Sequence, residues 1–172
     1  MSKLRYYRTD VQVDLERLTA EADRLAWDDS IKQYRPQTAV QNADGNEDYL
    51  EGTGSRPGQT DDQWSNLRSD LLGTWWQTFF ASLPWPVYRT RIMIMPPRSC
   101  YSIHSDTSPR LHIALKTRPQ AKFIFTNPPE LVHIPADGHV WWVDTREEHT
   151  AINASLEPRW HLLMSMVNTP DH

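Results

Sequence analysis

The second half of the chain is a succession of short segments in which apolar and polar side chains alternate, and no other feature restricts the fold as much. The first run spans 88–95, and others span 110–116, 121–126, 131–134, 139–144 and 159–167. Clusters of turn-forming residues separate them, at 126–130, 135–138 and 153–158. A period of two is typical of β-strands with one buried face. Because no helical pattern lies between these strands, the sequence predicts antiparallel sheets in a sandwich or jelly-roll barrel.

The first part of the chain lacks this alternation, and two stretches of it have a helical period instead. Residues 11–26 carry Leu and Ala at steps of three and four, and residues 64–82 carry Leu, Trp and Phe at steps of four. Two prolines, Pro84 and Pro86, end the second pattern. We therefore expect two helices that flank a mainly β core.

The stretch between the predicted helices, residues 28–63, has no sustained period. It is rich in Asp, Asn, Gln, Gly and Thr, which predicts a long irregular segment. Its acidic and amide-rich part, 42–62, is expected to be a mobile surface loop or a lid over the barrel mouth. The predicted organisation is a single domain, 1–172, in which a helical and irregular part, 1–85, packs on a jelly-roll core, 86–168.

Charge and cysteine content argue against two other classes of protein. Lys and Arg total 18 and Asp and Glu total 22, so the net charge of -4 predicts no broad basic surface for a nucleic acid. Cys100 is the one cysteine, so an internal disulfide is impossible, which fits a reducing compartment. The N-terminal residues do not resemble a signal peptide, and no later segment approaches a membrane span. We expect a cytoplasmic protein that does not contact membranes.

A candidate metal site combines His104, Asp106 and His149. Alternate side chains of an extended segment point to one side, so His104 and Asp106 can share an ion. His149 follows the predicted strand 139–144 and can supply a third ligand. Two imidazoles and one carboxylate are the ligand set of non-haem Fe(II) sites, with positions left open for a co-substrate and dioxygen. The alternative is a hydrogen-bonded His–Asp pair at the surface and an unrelated loop histidine.

Arg159 points to a particular co-substrate for this site. It begins the last apolar strand, ten residues after His149. A dicarboxylate such as 2-oxoglutarate has a distal carboxylate, and arginine binds carboxylates through a fork of donors while staying charged. The alternative for Arg159 is a surface salt bridge at a strand end.

Five short motifs occur in order along the second half of the chain. They are His104-x-Asp106, Arg110-x-His112, Gly138 before an aromatic strand that ends in Asp144, His149, and Arg159. This order resembles the aspartyl/asparaginyl β-hydroxylase-like branch of the Fe(II)/2-oxoglutarate oxygenases, which includes small bacterial cis-prolyl hydroxylases. The resemblance covers residues from about Arg91 to Val167, and the joint match is more specific than any single motif.

The resemblance implies a fold, a ligand set and a reaction. The fold would be a double-stranded β-helix, a cupin-like jelly-roll barrel with the metal near one open end. Fe(II) would be held by His104, Asp106 and His149, and 2-oxoglutarate by Arg159. Arg110 and His112 would contact the co-substrate or the metal ligands, and both project from one face of their strand.

Two departures limit what the resemblance implies about the substrate. The animal β-hydroxylases of this branch lack the carboxylate that Asp106 supplies here, which moves the likeness toward the prolyl-hydroxylase-like members. Those animal enzymes also carry a helical repeat region that this chain lacks, and residues 1–85 show no convincing match to the family. The resemblance favours hydroxylation of an amino acid, free or within a peptide, of the Pro or Asp/Asn type.

Several other residues have competing interpretations. Tyr101, Trp141 and Arg91 are candidates to line the substrate pocket. The remaining strand histidines are expected to be structural, namely His133, His139 and His161. Arg89 and Arg98 are expected on a solvated face or at an anion, and Cys100 is expected to be a small packing residue.

Two other functions stay open at this stage. One is a cupin-like barrel that binds metal or a small acid without oxidation, as a sensor or binding module. The other is a lectin-like or structural jelly-roll in which the three ligands coincide by chance. A carboxylate clamp at Arg159 favours the oxygenase, because a non-oxidative metal barrel does not need one.

Overall fold

The computed structural model describes residues 4–54 and 58–167. The helices are α1 (Leu15–Ala26) and α2 (Trp75–Ser82), with short 3₁₀ turns at Asp61–Gln63 and Ser69–Leu71. The strands are β1 (Tyr6–Gln12), β2 (Trp27–Asp28), β3 (Gln33–Tyr34), β4 (Gln37–Ala39), β5 (Gln41–Asn42), β6 (Asn66–Leu67), β7 (Tyr88–Met95), β8 (Ser99–Cys100), β9 (Arg110–Lys116), β10 (Ala121–Thr126), β11 (Pro129–Val132), β12 (His139–Val143), β13 (His149–Asn153) and β14 (Arg159–Ser165).

Two antiparallel sheets build the core. The larger has the order β1-β12-β9-β14-β7-β4 and the smaller has the order β11-β10-β13-β8, while β2–β3 and β5–β6 form separate pairs. The sheets face each other without joining into a closed barrel. This is the two-sheet jelly-roll of the double-stranded β-helix, so the predicted fold class is confirmed.

The larger sheet has a hydrophobic layer on each face. Alternate residues of β9, among them Leu111 and Ile113, point outward and are fully buried against the helices. The other face meets the smaller sheet, where Ala114 and Val143 pack with Phe123 and other apolar residues of the smaller sheet. Polar side chains of β7, β9 and β14 also point into this inner layer, which explains why the strands read as alternating in sequence.

The first helix is four residues shorter at its start than the sequence suggests. Asp14 caps it by accepting a hydrogen bond from the backbone N–H of Arg17 (2.9 Å), and Leu18 and Ala22 form its buried stripe. The preceding residues form β1, which pairs with β12 at the edge of the larger sheet. The prediction of helix from residue 11 was wrong because pairing with β12 extends the backbone there.

The second helix is only the last part of the predicted one. Thr74 caps α2, and Gly73 just before it has a φ of +74°, a left-handed conformation that breaks a continuous helix. Residues 64–72 instead form β6, a 3₁₀ turn and connecting turns. The spacing of Leu67 and Leu71 by four therefore reflects two separate contacts with the core.

The N-terminal part does more than pack on the jelly-roll, because it supplies two strands of the larger sheet. Besides β1, the strand β4 pairs with β7 and ends in the buried residue Ala39. The sequence also left β8 and β13 unpredicted. In the described part of the chain, neither helix is long and apolar enough to cross a membrane. A cytoplasmic location stays a prediction.

Candidate active site

Two histidines lie opposite each other in the cavity between the sheets. His149 begins β13, and His104 pairs with it in an isolated antiparallel bridge: each backbone N–H donates to the other's carbonyl oxygen, at 2.9 Å and 2.8 Å. Residues opposed in this way carry their side chains on the same face. The two imidazole rings are 4.5 Å apart. Backbone pairing therefore makes the histidines neighbours.

Asp106 completes a cluster of three possible metal ligands. Its backbone N–H donates to the carbonyl oxygen of Thr145 (2.8 Å), just after β12. Its carboxylate oxygens lie 4.0 Å from Nε2 of His104 and 3.8 Å from Nε2 of His149. All three ligand atoms lie within 4.8 Å of one another. Metals bind such atoms at about 2.0–2.2 Å, so small side-chain rotations bring all three onto one ion.

Backbone carbonyls set the tautomer of both imidazoles. The Nδ1 atoms of His104 and His149 each lie 2.8 Å from a carbonyl oxygen, that of Ser102 and that of Glu147. A carbonyl can only accept a hydrogen bond, so each Nδ1 carries the proton and each Nε2 offers a lone pair. Burial also lowers the pKa of His149, which favours the neutral ligand form. The residues therefore fit a metal that takes two imidazoles and one carboxylate, as Fe(II) does.

Neighbouring side chains hold these ligands in place. Arg110 donates from Nε to Oδ2 of Asp106 (2.8 Å) and from Nη2 to Oδ1 (3.0 Å). Phe123 stacks on the ring of His149 with the centroids 4.7 Å apart. Such surrounding contacts orient metal ligands and set their basicity.

Arg159 lies in the wall of the same cavity, which has a volume of about 510 Å³. Burial lowers its pKa to about 10, so it stays charged at neutral pH. Its Nη2 lies 3.1 Å from Nδ1 of His161. No carboxylate lies within 4.0 Å of its guanidinium in residues 4–54 and 58–167. A buried cation without an anionic partner is costly, so this one is suited to an anionic ligand.

Two buried histidines lie beside Arg159. His112 and His161 are 4% and 1% exposed, and their rings are 5.8 Å apart. Burial, reinforced by the charge of Arg159, holds the pKa of each well below the usual value. Neither nitrogen of His112 has a hydrogen-bond partner among the described residues. The residue lines the cavity, so a neutral imidazole with no partner for its polar atoms stands in the wall beside Arg159.

Acid should destabilise the metal-free protein through these histidines. Because the folded-state pKa of His161 lies below the unfolded value of 6.5, the unfolded chain takes up the proton first. The contribution of the buried, neutral histidine to the free energy of unfolding is thus present above about pH 6.5 and is lost as the pH falls below that value. From about pH 7.5 to 5.5, we expect the free energy of unfolding in urea to fall by about 1 kcal/mol per buried histidine. His161→Gln should reduce this loss by about 1 kcal/mol, and an unchanged pH dependence in His161→Gln would contradict the account.

Two irregular stretches, 51–54 and 58–64, border the cavity and are fixed to β7. Arg89 donates from Nε and Nη2 to the carbonyl oxygen of Gly52 (2.9 Å and 2.6 Å) and from Nη2 to that of Gly54 (2.6 Å). Arg91 donates to the carbonyl oxygen of Glu51. Part of the predicted lid therefore belongs to the cavity wall and does not lie on a solvated surface. Two buried arginines, Arg89 and Arg91, hold it there. We call residues 51–54 and 58–64 together the mouth segment.

Gly52 is the tightest point of the mouth segment. A Cβ there would lie 2.6 Å from Nε1 of Trp64 and 2.8 Å from Nη2 of Arg91, and the φ is +66°. We expect Gly52→Ala to lower the free energy of unfolding by about 3 kcal/mol, from overpacking plus backbone strain. Gly73→Ala is the matched control, since its φ is +74° with nothing within 4 Å, and should cost about 1 kcal/mol. Equal losses in urea unfolding would show that the contact with Trp64 is unimportant.

The structure brings most of the predicted site residues together. One cavity is lined by His104, Asp106, His149, Arg110, His112, Arg159, Tyr101 and Arg91. Trp141 is the exception: it packs against the inner apolar cluster and does not line this cavity. The placement therefore does not support a substrate-pocket role for Trp141, and the roles of the others remain proposals.

Sequence reasoning missed Asp61. It lies in a polar stretch that carries no periodic signal, yet it is buried beside Arg89 and Arg110. Of the two interpretations of Arg89, the solvated face is wrong, because Arg89 is buried and pairs with the carboxylate of Asp61. His161 is buried, as expected of a structural histidine, and its two-residue spacing from Arg159 places both on one face of β14.

Fold and site together define the class of the protein. A double-stranded β-helix that holds two histidines and one carboxylate, with positions open for a co-substrate, is the architecture of the Fe(II)- and 2-oxoglutarate-dependent oxygenases. The family model of the aspartyl/asparaginyl β-hydroxylases matches residues 13–169, so the chain belongs to that family. A search of curated protein sequences found no match.

Several solved structures share the fold at low sequence identity. A 2OG-Fe(II) oxygenase family oxidoreductase from Burkholderia pseudomallei is 17% identical with a TM-score of 0.55, covering 93% of this chain and 82% of its own. The α-ketoglutarate-dependent epimerase SnoN of nogalamycin biosynthesis is 16% identical with a TM-score of 0.53, at 92% and 76% coverage. The viral collagen prolyl hydroxylase of Paramecium Bursaria Chlorella virus-1 is 13% identical with a TM-score of 0.52, at 94% and 94% coverage.

Proposed function

We propose that this protein hydroxylates a C–H bond of an amino acid, free or within a peptide, with Fe(II) held by His104, Asp106 and His149 and 2-oxoglutarate held by Arg159. One observation carries the proposal: a buried arginine without a carboxylate partner in the described chain shares its cavity with the three-ligand cluster. A metal site alone does not explain such an arginine. A dicarboxylate co-substrate does, because one carboxylate reaches the metal and the other needs a buried cation.

The bound metal and co-substrate supply oxygen-dependent oxidation of a C–H bond, with 2-oxoglutarate converted to succinate and CO2. The residues of the chain bind and orient. His104 and His149 keep their Nδ1 protons on backbone carbonyls, so their Nε2 atoms stay available. Arg110 fixes the plane of the Asp106 carboxylate. Arg159 offers donors to a carboxylate of the co-substrate, and the neutral imidazole of His112 offers one N–H beside it.

The rim of the cavity supports a polar substrate. Its amide and hydroxyl side chains belong to Gln37, Gln59, Ser102, Ser105 and Thr107. Arg91 lines the same space from β7, and Tyr101 supplies a phenol whose pKa is raised by burial. Groups of this kind can pair with the amino, carboxylate or peptide groups of an amino acid. We therefore retain Tyr101 and Arg91 as substrate contacts.

A cupin-like module that binds metal or a small acid without oxidation is not favoured, because the chain belongs to a family of hydroxylases. A module that binds metal alone would also leave Arg159 as a buried charge without a ligand, at a cost in stability. The test is turnover: the protein is incubated with Fe(II), 2-oxoglutarate and oxygen, with and without a mixture of free amino acids and short Pro- and Asp/Asn-containing peptides. Succinate formation that rises with the mixture, together with a product that has gained one oxygen atom, is expected. Metal binding without any succinate would support the binding module instead.

A further inference from the structure

Asp61 is a buried carboxylate that is separated from the metal ligand Asp106 by one side chain, that of Arg110. It begins the 3₁₀ turn of the mouth segment, and its side chain is 1% exposed. Its Oδ1 accepts a hydrogen bond from Nη1 of Arg89 (2.9 Å), and its Oδ2 accepts one from the hydroxyl of Ser108. Burial alone would raise the pKa of Asp61, but Arg110, Ser108 and Arg89 together lower it. The carboxylate is therefore charged and serves as a fixed anion behind the site.

Arg110 stands between this anion and the metal ligand Asp106. Its Nη2 lies 3.0 Å from Oδ1 of Asp106 and 4.0 Å from Oδ2 of Asp61. Both oxygens of Asp106 accept a hydrogen bond from Arg110. A metal ion has to take one of those oxygens, and it repels the guanidinium. Asp61 offers Nη2 a second carboxylate, so Arg110 keeps a counter-charge when the metal competes for Asp106.

The same carboxylate also ties the metal side of the cavity to its mouth. Arg89, which pairs with Asp61, donates three hydrogen bonds to the carbonyl oxygens of Gly52 and Gly54. Gly54 and Gln59 of the mouth segment line the cavity. One continuous set of contacts thus runs from the mouth segment through Arg89, Asp61 and Arg110 to Asp106.

We infer that Asp61 is a positioning residue: it acts through Arg110 to leave the carboxylate of Asp106 available to the metal, and through Arg89 it holds the mouth segment in place. This role rests on the proposed function, since it presupposes a metal at His104, Asp106 and His149. Asp61 itself does not reach the ligand cluster. Its effect on metal affinity is indirect and depends on the guanidinium of Arg110.

The test measures metal affinity directly, by calorimetric titration of the full chain with Co(II), which takes the same nitrogen and oxygen ligands as Fe(II) and is stable in air. Asp61→Asn keeps the shape of the side chain and removes its charge. Among the described residues, the guanidinium of Arg110 then has only Asp106 as counter-charge, so a metal ion competes less well for that carboxylate. We expect the Co(II) dissociation constant to rise about tenfold, the lower end of the range for groups that support metal ligands.

The same substitution made in an Arg110→Gln variant distinguishes a positioning role of Asp61 from a purely structural one. In Arg110→Gln the guanidinium is absent, so adding Asp61→Asn should change the dissociation constant less than about twofold. The matched control is Asp28→Asn, another buried aspartate that accepts from a serine hydroxyl and an arginine, Ser30 and Arg35, outside the cavity. It should leave Co(II) affinity unchanged. If Asp61→Asn is unstable, all variants are titrated in trimethylamine N-oxide, which favours the folded state.

The outcomes distinguish this inference from the proposed function. If the wild type does not bind Co(II) through the three ligands, the proposed function fails. If the wild type binds but Asp61→Asn binds equally well, the positioning role is wrong while the proposed function stands. A tenfold loss that persists in the Arg110→Gln background, or that also appears in Asp28→Asn, would likewise overturn the role through Arg110.

Discussion

Asp106→Ala is expected to weaken metal binding by at least about 100-fold and to abolish metal-dependent turnover. Removing a group that only supports a metal ligand lowers metal affinity by about 10–100-fold, so removing a ligand itself should lower it further. The change also leaves Arg110 without the carboxylate that accepts both of its hydrogen bonds. Its positive charge then faces His104 and His149, and it repels any cation between them. Titration with Co(II) measures the loss, and circular dichroism confirms that the variant is folded.

Asp137→Ala is the control for this result. Asp137 also pairs with a histidine, at 3.3 Å from Nδ1 of His139, but neither residue lines the cavity. The control should bind metal as the wild type does. Metal affinity that survives in Asp106→Ala, or that falls equally in Asp137→Ala, would show that the cluster is not the metal site.

Arg159→Met should have opposite effects on co-substrate binding and on stability. Removing one partner of a buried ion pair costs about 3 kcal/mol, so 2-oxoglutarate should bind about 100-fold more weakly while Co(II) still binds. Without co-substrate, Arg159 is a buried charge whose contact in the described chain is a neutral imidazole. Methionine fills similar space without that charge, so the melting temperature of the metal-free variant should rise. Calorimetry and thermal unfolding measure the two effects.

Arg118→Met is the matched control, because Arg118 is about half exposed and pairs with Glu157 at the surface. It should change neither co-substrate affinity nor the melting temperature appreciably. A normal affinity for 2-oxoglutarate in Arg159→Met would contradict the assignment of the clamp. Loss of Co(II) binding together with co-substrate binding would indicate general disruption instead.

The sequence predicts those parts of the fold in which each residue's environment follows from its spacing. The bounds of β9 and β10 agree with the predicted runs, because one face of each strand is apolar and turns flank it. The same reasoning places Arg110 and His112 on one face, and the structure confirms that both line the cavity. The last strand begins at Arg159 as predicted, but it ends at Ser165, two residues before the end of the predicted run.

Other features depend on contacts between distant segments, which spacing does not encode. The strand β13 contains His149 because its backbone pairs with β10 and His104, while its own sequence shows little alternation. The strand β1 was hidden because its last residues also fit the helical period that begins at Leu15. Asp61 is buried only because the mouth segment crosses β7 and places it beside Arg89 and Arg110.

The most direct test of the central claim is the visible absorption of the protein after Fe(II) and then 2-oxoglutarate are added in the absence of oxygen. Chelation of 2-oxoglutarate to Fe(II) in this site should produce a charge-transfer band in the wild type and in Arg118→Met. The band should be absent in His149→Ala, which lacks one imidazole ligand. Absence of the band in the wild type, or its persistence in His149→Ala, would contradict an iron and 2-oxoglutarate site built on His104, Asp106 and His149.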